Sequence, residues 1–359
     1  MKPVLLLGSF VPGKTFLLTC ILLICFGGIA EWVARLDVFQ ALLTPPKMGT
    51  RHNQLGHKLA LLDALVSQGN LPDCIMVGSS MVDVGFDPDA FQQGVRNRTG
   101  SEIHCFNFGI DSSIAVSTAV IARILIEDYR PRLLIVGTDP RDIGVPKDEH
   151  GPAVIFSSPW IRFRQGEFSP EGWLLEHSYF FRYRQHLSRL IRLKTKDTLW
   201  SDTTLSLPIR PNGFSPVSTV STVINEPPDL QDPSYEIVYY TGIYSPYRIY
   251  DENLEKLAAM MEYTGDRTQV IVVEMPVSDG LYYFFKNGES DYNRYVTAME
   301  ALADTHQVPF WRTEPLDSIP DDGWSDYSHL NGKGAKIFST WLGEQVGQMQ
   351  LLDASVSSP

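Results

Sequence analysis

The sequence predicts an α/β protein: a doubly wound, mainly parallel sheet with one N-terminal transmembrane helix and a large insertion. Three observations predict it. Short apolar runs that end in glycine recur after residue 73 and alternate with segments of helical periodicity, as in sheets covered by helices on both faces. Residues 15–30 (TFLLTCILLICFGGIA) carry no charge and are bracketed by Lys14 and Glu31. Between residues 143 and 250 the alternation breaks into Pro-, Ser- and aromatic-rich sequence.

The apolar run comes first. With Trp32, Val33 and Ala34 it reaches the roughly 20 residues a bilayer helix needs. Trp32 lies where an interfacial aromatic anchors a span. Lys2 and Lys14 precede the run, so the positive-inside tendency keeps residues 1–14 cytoplasmic and sends the body outside. A cleaved signal peptide is the main alternative, with Gly28 and Ala30 as small residues before a cut, and a buried helix of a soluble protein is a third. Both leading readings export the domain. Gly8 to Thr15 also satisfies the P-loop pattern, but the residues after Thr15 are apolar all round, where a P-loop helix needs a polar face. The pattern is a coincidence on this reading.

Residues 35–70 read as a stalk ending at Pro45-Pro46, followed by a helix over residues 54–66. Residues 71–347 read as the α/β domain, carrying the insertion 143–250, and residues 348–359 as a tail. Within the domain, Cys74-Ile75-Met76-Val77 is a buried strand before Gly78, and residues 104–108 form a second before Gly109. A helix follows over residues 113–129, with Ala115, Ala119, Ala122, Leu125 and Ile126 on one face. Leu133-Leu134-Ile135-Val136 is the third strand, residues 269–273 the fourth and residues 308–311 the fifth. Helices are expected over 292–306 and 334–346. In the insertion, residues 178–196 carry six Arg and Lys with Tyr183, Leu187, Leu190 and Ile191 on a possible apolar face: an amphipathic helix packed on the body, or a contact for an anionic surface.

Composition excludes several classes. A net charge of −12 repels a phosphate backbone, so no nucleic-acid partner is expected. No cysteine pair has zinc-site spacing and no HExxH occurs, so neither metal nor other cofactor is expected. Cys74 and Cys105 fall in predicted strands and read as buried thiols, with a disulfide as the alternative in an oxidising compartment.

In an open α/β sheet, ligands gather beyond the carboxyl ends of strands. That rule selects Gly78-Ser79-Ser80, Gly109-Ile110-Asp111 and Gly137-Thr138-Asp139. Near the C-terminus, Asp326-Tyr327-Ser328-His329-Leu330-Asn331 supplies a complement. A serine hydroxyl is a weak nucleophile until a base takes its proton, and histidine titrates near neutrality. A carboxylate three residues earlier can reach the ring and fix its tautomer. Taken singly, each element also has a plain structural reading: Ser79 or Ser80 as a helix N-cap, Asp326 and His329 as turn residues, Asn331 as a cap.

Together, strand-Gly78-Ser79-Ser80, Asn107-Phe108-Gly109 after a second strand, and Asp326-x-x-His329 before the last helix resemble blocks of the SGNH/GDSL hydrolase superfamily, a three-layer, flavodoxin-like α/β fold. The Gly-Ser-Ser variant behind a membrane span is similar to D-alanyl-transfer proteins of the DltD type and alginate-acetylation proteins of the AlgJ and AlgX type. The resemblance covers about residues 74–142 and 268–346. It implies Ser80 as nucleophile, His329 as base and Asp326 as orienter, with oxyanion donors at the N–H groups of Ser80 and Gly109. The third donor block is an asparagine in the superfamily, whereas this chain has Thr138-Asp139. An ionised Asp139 beside an oxyanion would destabilise it, which leaves three readings: the donor is another group, such as Thr138; Asp139 points elsewhere; or catalysis is impaired.

The implied activity is that of a serine esterase or O-acyltransferase handling acyl groups, acetyl above all, of a cell-envelope or exported polysaccharide. The implied partners are an acylated or acyl-accepting glycan and a membrane-bound O-acyltransferase. The alternative is a non-catalytic envelope protein that keeps the scaffold for binding or assembly.

Overall fold

The computed structural model describes residues 12–36, 38–39, 48, 53–148, 153, 155–184, 209–221, 227–265, 267–313 and 319–349. The first helix, α1, spans Pro12–Ala34. At about 1.5 Å per residue its 23 residues extend roughly 34 Å, enough to cross a bilayer. Its apolar side chains project outward, Phe16 at 72% and Ile24 at 73% exposure, and among the described residues no part of the body covers them. The helix is long and apolar enough for a membrane anchor or a signal sequence. Gly13, Lys14 and Thr15 of the P-loop-like pattern belong to this helix, while Gly8 to Val11 lie outside the described residues.

Helix α2 (Asn53–Ser67) leads into β1 (Cys74–Gly78), the one-turn helix α3 (Ser80–Gly85) and α4 (Pro88–Thr99). Strand β2 (Cys105–Gly109) and helix α5 (Ala115–Tyr129) come next, then β3 (Leu133–Thr138) and the short α6 (Pro140–Gly144). The described part of the insertion holds α7 (Pro159–Arg164), α8 (Pro170–His177), α9 (Tyr179–Arg182) and α10 (Tyr235–Tyr244). After it come α11 (Asp251–Thr264), β4 (Gln269–Glu274), α12 (Glu289–His306), β5 (Phe310–Trp311) and α13 (Gly332–Gln348). Of the basic stretch over residues 178–196, only the part up to Arg184 is described; Arg189, Arg192, Lys194 and Lys196 lie outside the described residues.

The five strands pair in the order β2-β1-β3-β4-β5, all parallel. This is the doubly wound α/β class the sequence predicts. Side chains alternate between two cores, as a pleated strand requires. Ile75, Val77, Phe106, Phe108, Leu134, Val136 and Val272 face one core, which α5, α11 and α12 close. Cys74, Met76, Cys105, Leu133, Ile135, Ile271 and Val273 face the other, closed by α3, α4 and α13. Helices α4 and α13 touch backbone to backbone: a Cβ at Gly94 would strike the Thr340 carbonyl, and one at Gly343 the Phe91 carbonyl.

Helices α4 and α11 and the state of two cysteines depart from the sequence reading. Helix α4 was not anticipated, although Asp87 caps it through the Asp89 N–H at 3.0 Å, Pro88 opens it and Gly100 closes it at φ 73°. Cys74 and Cys105 form a disulfide and are not free thiols. They are register partners on adjacent strands, their side chains share a face, and their Cα atoms lie 4.5 Å apart. That spacing is within the range a disulfide spans.

Candidate active site

Order 2-1-3-4-5 puts the topological switch point at the carboxyl ends of β1 and β3. Ser79 and Ser80 follow β1 there, and the turn divides their tasks. Ser79 is the N-cap of α3, and its Oγ accepts the Met81 N–H at 3.4 Å. Ser80 opens the helix with its own Oγ 2.8 Å from His329 Nε2. The cap role therefore falls to Ser79 and leaves the Ser80 hydroxyl for the histidine.

His329 comes from the loop before α13. Its Nδ1 lies 2.9 and 2.8 Å from the two Asp326 carboxylate oxygens. Asp326 Oδ1 also accepts the N–H groups of Ser328 (2.9 Å) and His329 (2.8 Å), so the loop closes around its own carboxylate. Asn331 caps α13 by accepting from Lys333 N at 2.9 Å and Gly334 N at 3.3 Å. The three side chains predicted from opposite ends of the chain thus meet in one hydrogen-bonded row.

Electrostatics reinforce the row. Burial works to raise the Asp326 carboxyl, but the His329 ring and the hydrogen bonds from His329 and Ser328 outweigh it and hold it at about 2. Burial works to lower His329, yet the adjacent Asp326 charge, with Asp139 and Asp111 adding to it, raises the ring above its ordinary value. Asp326 is therefore an anion near neutral pH, and His329 is poised to hold a proton taken from Ser80.

The row opens on a cleft of about 380 Å³ lined by Gln54, Asp111, Thr219 and Ser325 among others, with Ser80, Asp326 and His329 in its wall. Among the described residues no cluster of His, Cys, Asp or Glu has the makings of a metal site.

The remaining predicted donors are placed differently. Gly109 N–H donates to Asn107 Oδ1 at 2.9 Å, and its Cα packs so tightly on the Asp83 backbone that a Cβ could not fit. Its amide is therefore turned into the protein and not toward Ser80. Thr138 is buried with its hydroxyl 2.9 Å from Tyr295 OH. Asp139 is the buried N-cap of α6, accepting the Arg141 N–H at 2.5 Å and the Asp142 N–H at 3.3 Å, with Ser79 Oγ 3.5 Å away. Burial raises its carboxyl, with Arg141 acting against that rise. Arg141 itself donates to Tyr239 OH and to the Ser113 carbonyl.

Sequence reasoning missed two supports. Beneath α3 lies Lys58, fully buried, with Nζ 2.5 Å from Asp83 Oδ1 and 3.3 Å from Asn107 Oδ1. Asp83 also accepts from Gln54 Nε2 and Ser215 Oγ, each at 2.8 Å. Asn107 in turn donates to the Val82 and Phe86 carbonyls, both at 2.7 Å, so it ties β2 to the helix that carries Ser80. The second support is Tyr240 of α10, whose OH donates to Asp326 Oδ1 at 3.0 Å and lies 2.7 Å from Ser328 Oγ. Burial, with Asp326 nearby, pushes the Tyr240 phenol well up and keeps it a donor. A single buried lysine in a helical pattern was the available signal for the first; the second had none.

No family model matches the chain, and no curated protein matches it. Among solved structures, it is similar to a lipase/acylhydrolase from Enterococcus faecalis at 9% identity and TM-score 0.37, covering 77% of this chain and 96% of that one. A carbohydrate acetylesterase from Sinorhizobium meliloti matches at 12% identity and TM-score 0.36, covering 77% and 99%. An aryl esterase from M. smegmatis matches at 12% identity and TM-score 0.35, covering 77% and 98%.

Proposed function

We propose that the chain is a serine acyl-esterase or O-acyltransferase of the SGNH type, working through an acyl-enzyme on Ser80. The observation that carries this reading is the Ser80–His329–Asp326 row, 2.8 Å from hydroxyl to ring and 2.8 Å from ring to carboxylate. His329 takes the Ser80 proton as Oγ bonds to the acyl carbon; the carbonyl oxygen becomes an oxyanion at the Ser80 N–H. His329 then gives the proton to the leaving alkoxide, whose bond to the acyl carbon breaks. Water entering the acyl-enzyme completes hydrolysis; a sugar hydroxyl completes transfer. Asp326 stabilises the imidazolium in both halves.

The acyl group is small, acetyl above all, and its carrier is a cell-envelope or exported polysaccharide, with a membrane-bound O-acyltransferase as the acyl source in the transferase case. This follows the resemblance to the DltD, AlgJ and AlgX types. An extracytoplasmic body is supported by the Cys74–Cys105 disulfide, since such bonds persist in oxidising compartments. Retention of α1 as an anchor is supported by its last turn, where Glu31 accepts three hydrogen bonds from Ser178, Tyr179 and Phe180. A segment destined for removal has no reason to hold such contacts. One observation favours a binding or assembly role: the Gly109 amide is engaged elsewhere and Asp139 stands where an asparagine is expected, which thins the oxyanion site.

A fluorophosphonate probe tests the reading. Labelling should vanish in Ser80→Ala and survive in Ser79→Ala. An unlabelled wild type, or label retained in Ser80→Ala, rejects the acyl-enzyme. Protease accessibility on intact cells tests topology, and a protected body would put the cleft in the cytoplasm.

A further inference from the structure

The anchor and the cleft sit at opposite poles of the sheet. Ser80 and Asp111 follow the carboxyl ends of β1 and β2, and both line the cleft. Helix α5 begins beside them and runs back along the strands to Tyr129, which leads into the amino end of β3. Its 15 residues separate the two poles by about 22 Å. At the far pole, Arg164 bonds Asp128 at 2.7 Å, Glu127 at 3.1 Å and Glu176 of α8 at 3.3 Å. The Arg164 side chain is only 11% exposed, so this is a knot in the protein and not a loose surface pair.

The end of α1 is tied into that same knot. Glu31 accepts Ser178 Oγ at 2.7 Å and the N–H groups of Tyr179 and Phe180 at 3.0 and 3.1 Å, immediately after Glu176 and His177. Arg35 bonds Glu31 at 2.8 Å, reaches the His177 carbonyl at 3.4 Å and lies over the Tyr179 ring at 4.7 Å. Trp173 stacks on His177 at 4.9 Å and is 46% exposed, beside the exit of a helix whose own Trp32 is 62% exposed. Two exposed tryptophans and an arginine at the foot of an apolar helix are the chemistry of a membrane–water interface.

We propose that α1 is a fixed mount, not a tether, and that it holds the amino pole of the sheet against the bilayer with the cleft facing the water. Under the anchor and acyl-enzyme readings above, on which this rests, the site takes an acyl ester carried on a chain that projects from the membrane. An acyl group still embedded among lipids is out of its reach. Any transfer from a membrane protein then requires that protein to present its acyl group above the bilayer surface.

The test uses the full-length chain in liposomes containing a lipid with a nitroxide on its headgroup, with Cys20 and Cys25 replaced by alanine. A fluorophore is attached at Trp173→Cys or at Val220→Cys, the latter beside cleft-lining Thr219 and 49% exposed. Quenching should be several-fold stronger at 173 than at 220. A label at Asn70→Cys, in the loop entering the amino end of β1, should also be quenched more than at 220 and guards against a damaged Trp173 variant. Equal quenching at both poles, or stronger quenching at 220, overturns the proposal. In Glu31→Ala/Arg35→Ala the contrast should shrink; an undiminished contrast means these contacts are not the mount. Because quenching reads position alone, it is independent of whether Ser80 reacts with the fluorophosphonate.

Discussion

Lys58→Met should be among the most damaging single changes outside the cleft, and its cost can be worked from the structure. The Lys58 and Asp83 side chains are 0% and 2% exposed, and their charged atoms are 2.5 Å apart. At an effective dielectric of 20 that separation corresponds to about 6–7 kcal/mol of attraction, against a desolvation cost of several kcal/mol per ion. Replacing the ammonium leaves the buried Asp83 carboxylate with two neutral donors, Gln54 and Ser215. Removing one member of a buried pair costs about 3–5 kcal/mol. Asp83→Asn strands the Lys58 ammonium and belongs in the same range. In Lys58→Met/Asp83→Asn neither charge remains, so the double variant should be less destabilised than either single one. The assay is urea unfolding of the full-length chain in detergent micelles, followed by circular dichroism, with the shift in midpoint multiplied by the slope. Single variants within about 1 kcal/mol of wild type, or a double variant equal to the sum of the singles, would refute the reasoning.

Three further outcomes follow. Asp326→Asn removes the largest of the charges that raise His329, leaving Asp139 and Asp111 against burial, which lowers it. Since the base must be unprotonated to act, the acid limb of Ser80 labelling, which in the wild type lies above the ordinary histidine value, should move to lower pH, while the plateau rate falls by about 10³–10⁴. Breaking the Cys74–Cys105 bond, 31 residues apart, should cost about 3–4 kcal/mol on loop entropy, read as a lower unfolding midpoint for Cys74→Ala/Cys105→Ala. Gly343→Ala drives a methyl into the Phe91 carbonyl and should destabilise by about 1–3 kcal/mol, whereas Gly242→Ala, with open space around it, should not destabilise.

How much of this was legible beforehand depends on the range of the contact. Strands β1 to β4 stood out because each is a short apolar run closed by glycine or a polar residue, a purely local signal. The convergence of Ser80, His329 and Asp326 was legible from local signals: a turn after a strand, and a carboxylate one turn before a ring. Register was not legible. The pairing of Cys74 with Cys105 depends on which residue of β1 lies opposite which of β2, and neither segment encodes that alone. Nor was the partner of the Gly109 amide legible. A glycine after a strand frees an amide, but which acceptor takes it was decided by Asn107, held in turn by Lys58 from a separate helix.

The insertion is wired into both halves of the site and is not a detachable cover. Ser215 donates to Asp83 on the helix that carries Ser80, and Tyr240 donates to the carboxylate that orients His329. These two contacts bridge 132 and 86 residues of chain, so each closes a long loop whose ordering must be offset by other packing. That packing is visible: Tyr240 sits against Phe284 and Tyr327 at 5.1 and 5.8 Å, the second of these in the Asp326–His329 loop itself. Removing the insertion would therefore leave Asp326 with one donor fewer and its loop with one wall gone. Tyr240→Phe isolates the hydrogen bond from that wall: it keeps the ring and loses the donor, so folding should persist while Ser80 labelling slows by about ten- to a hundredfold, the equivalent of one charge-assisted hydrogen bond. Unchanged labelling in a folded Tyr240→Phe would mean that the insertion supports the loop by packing alone.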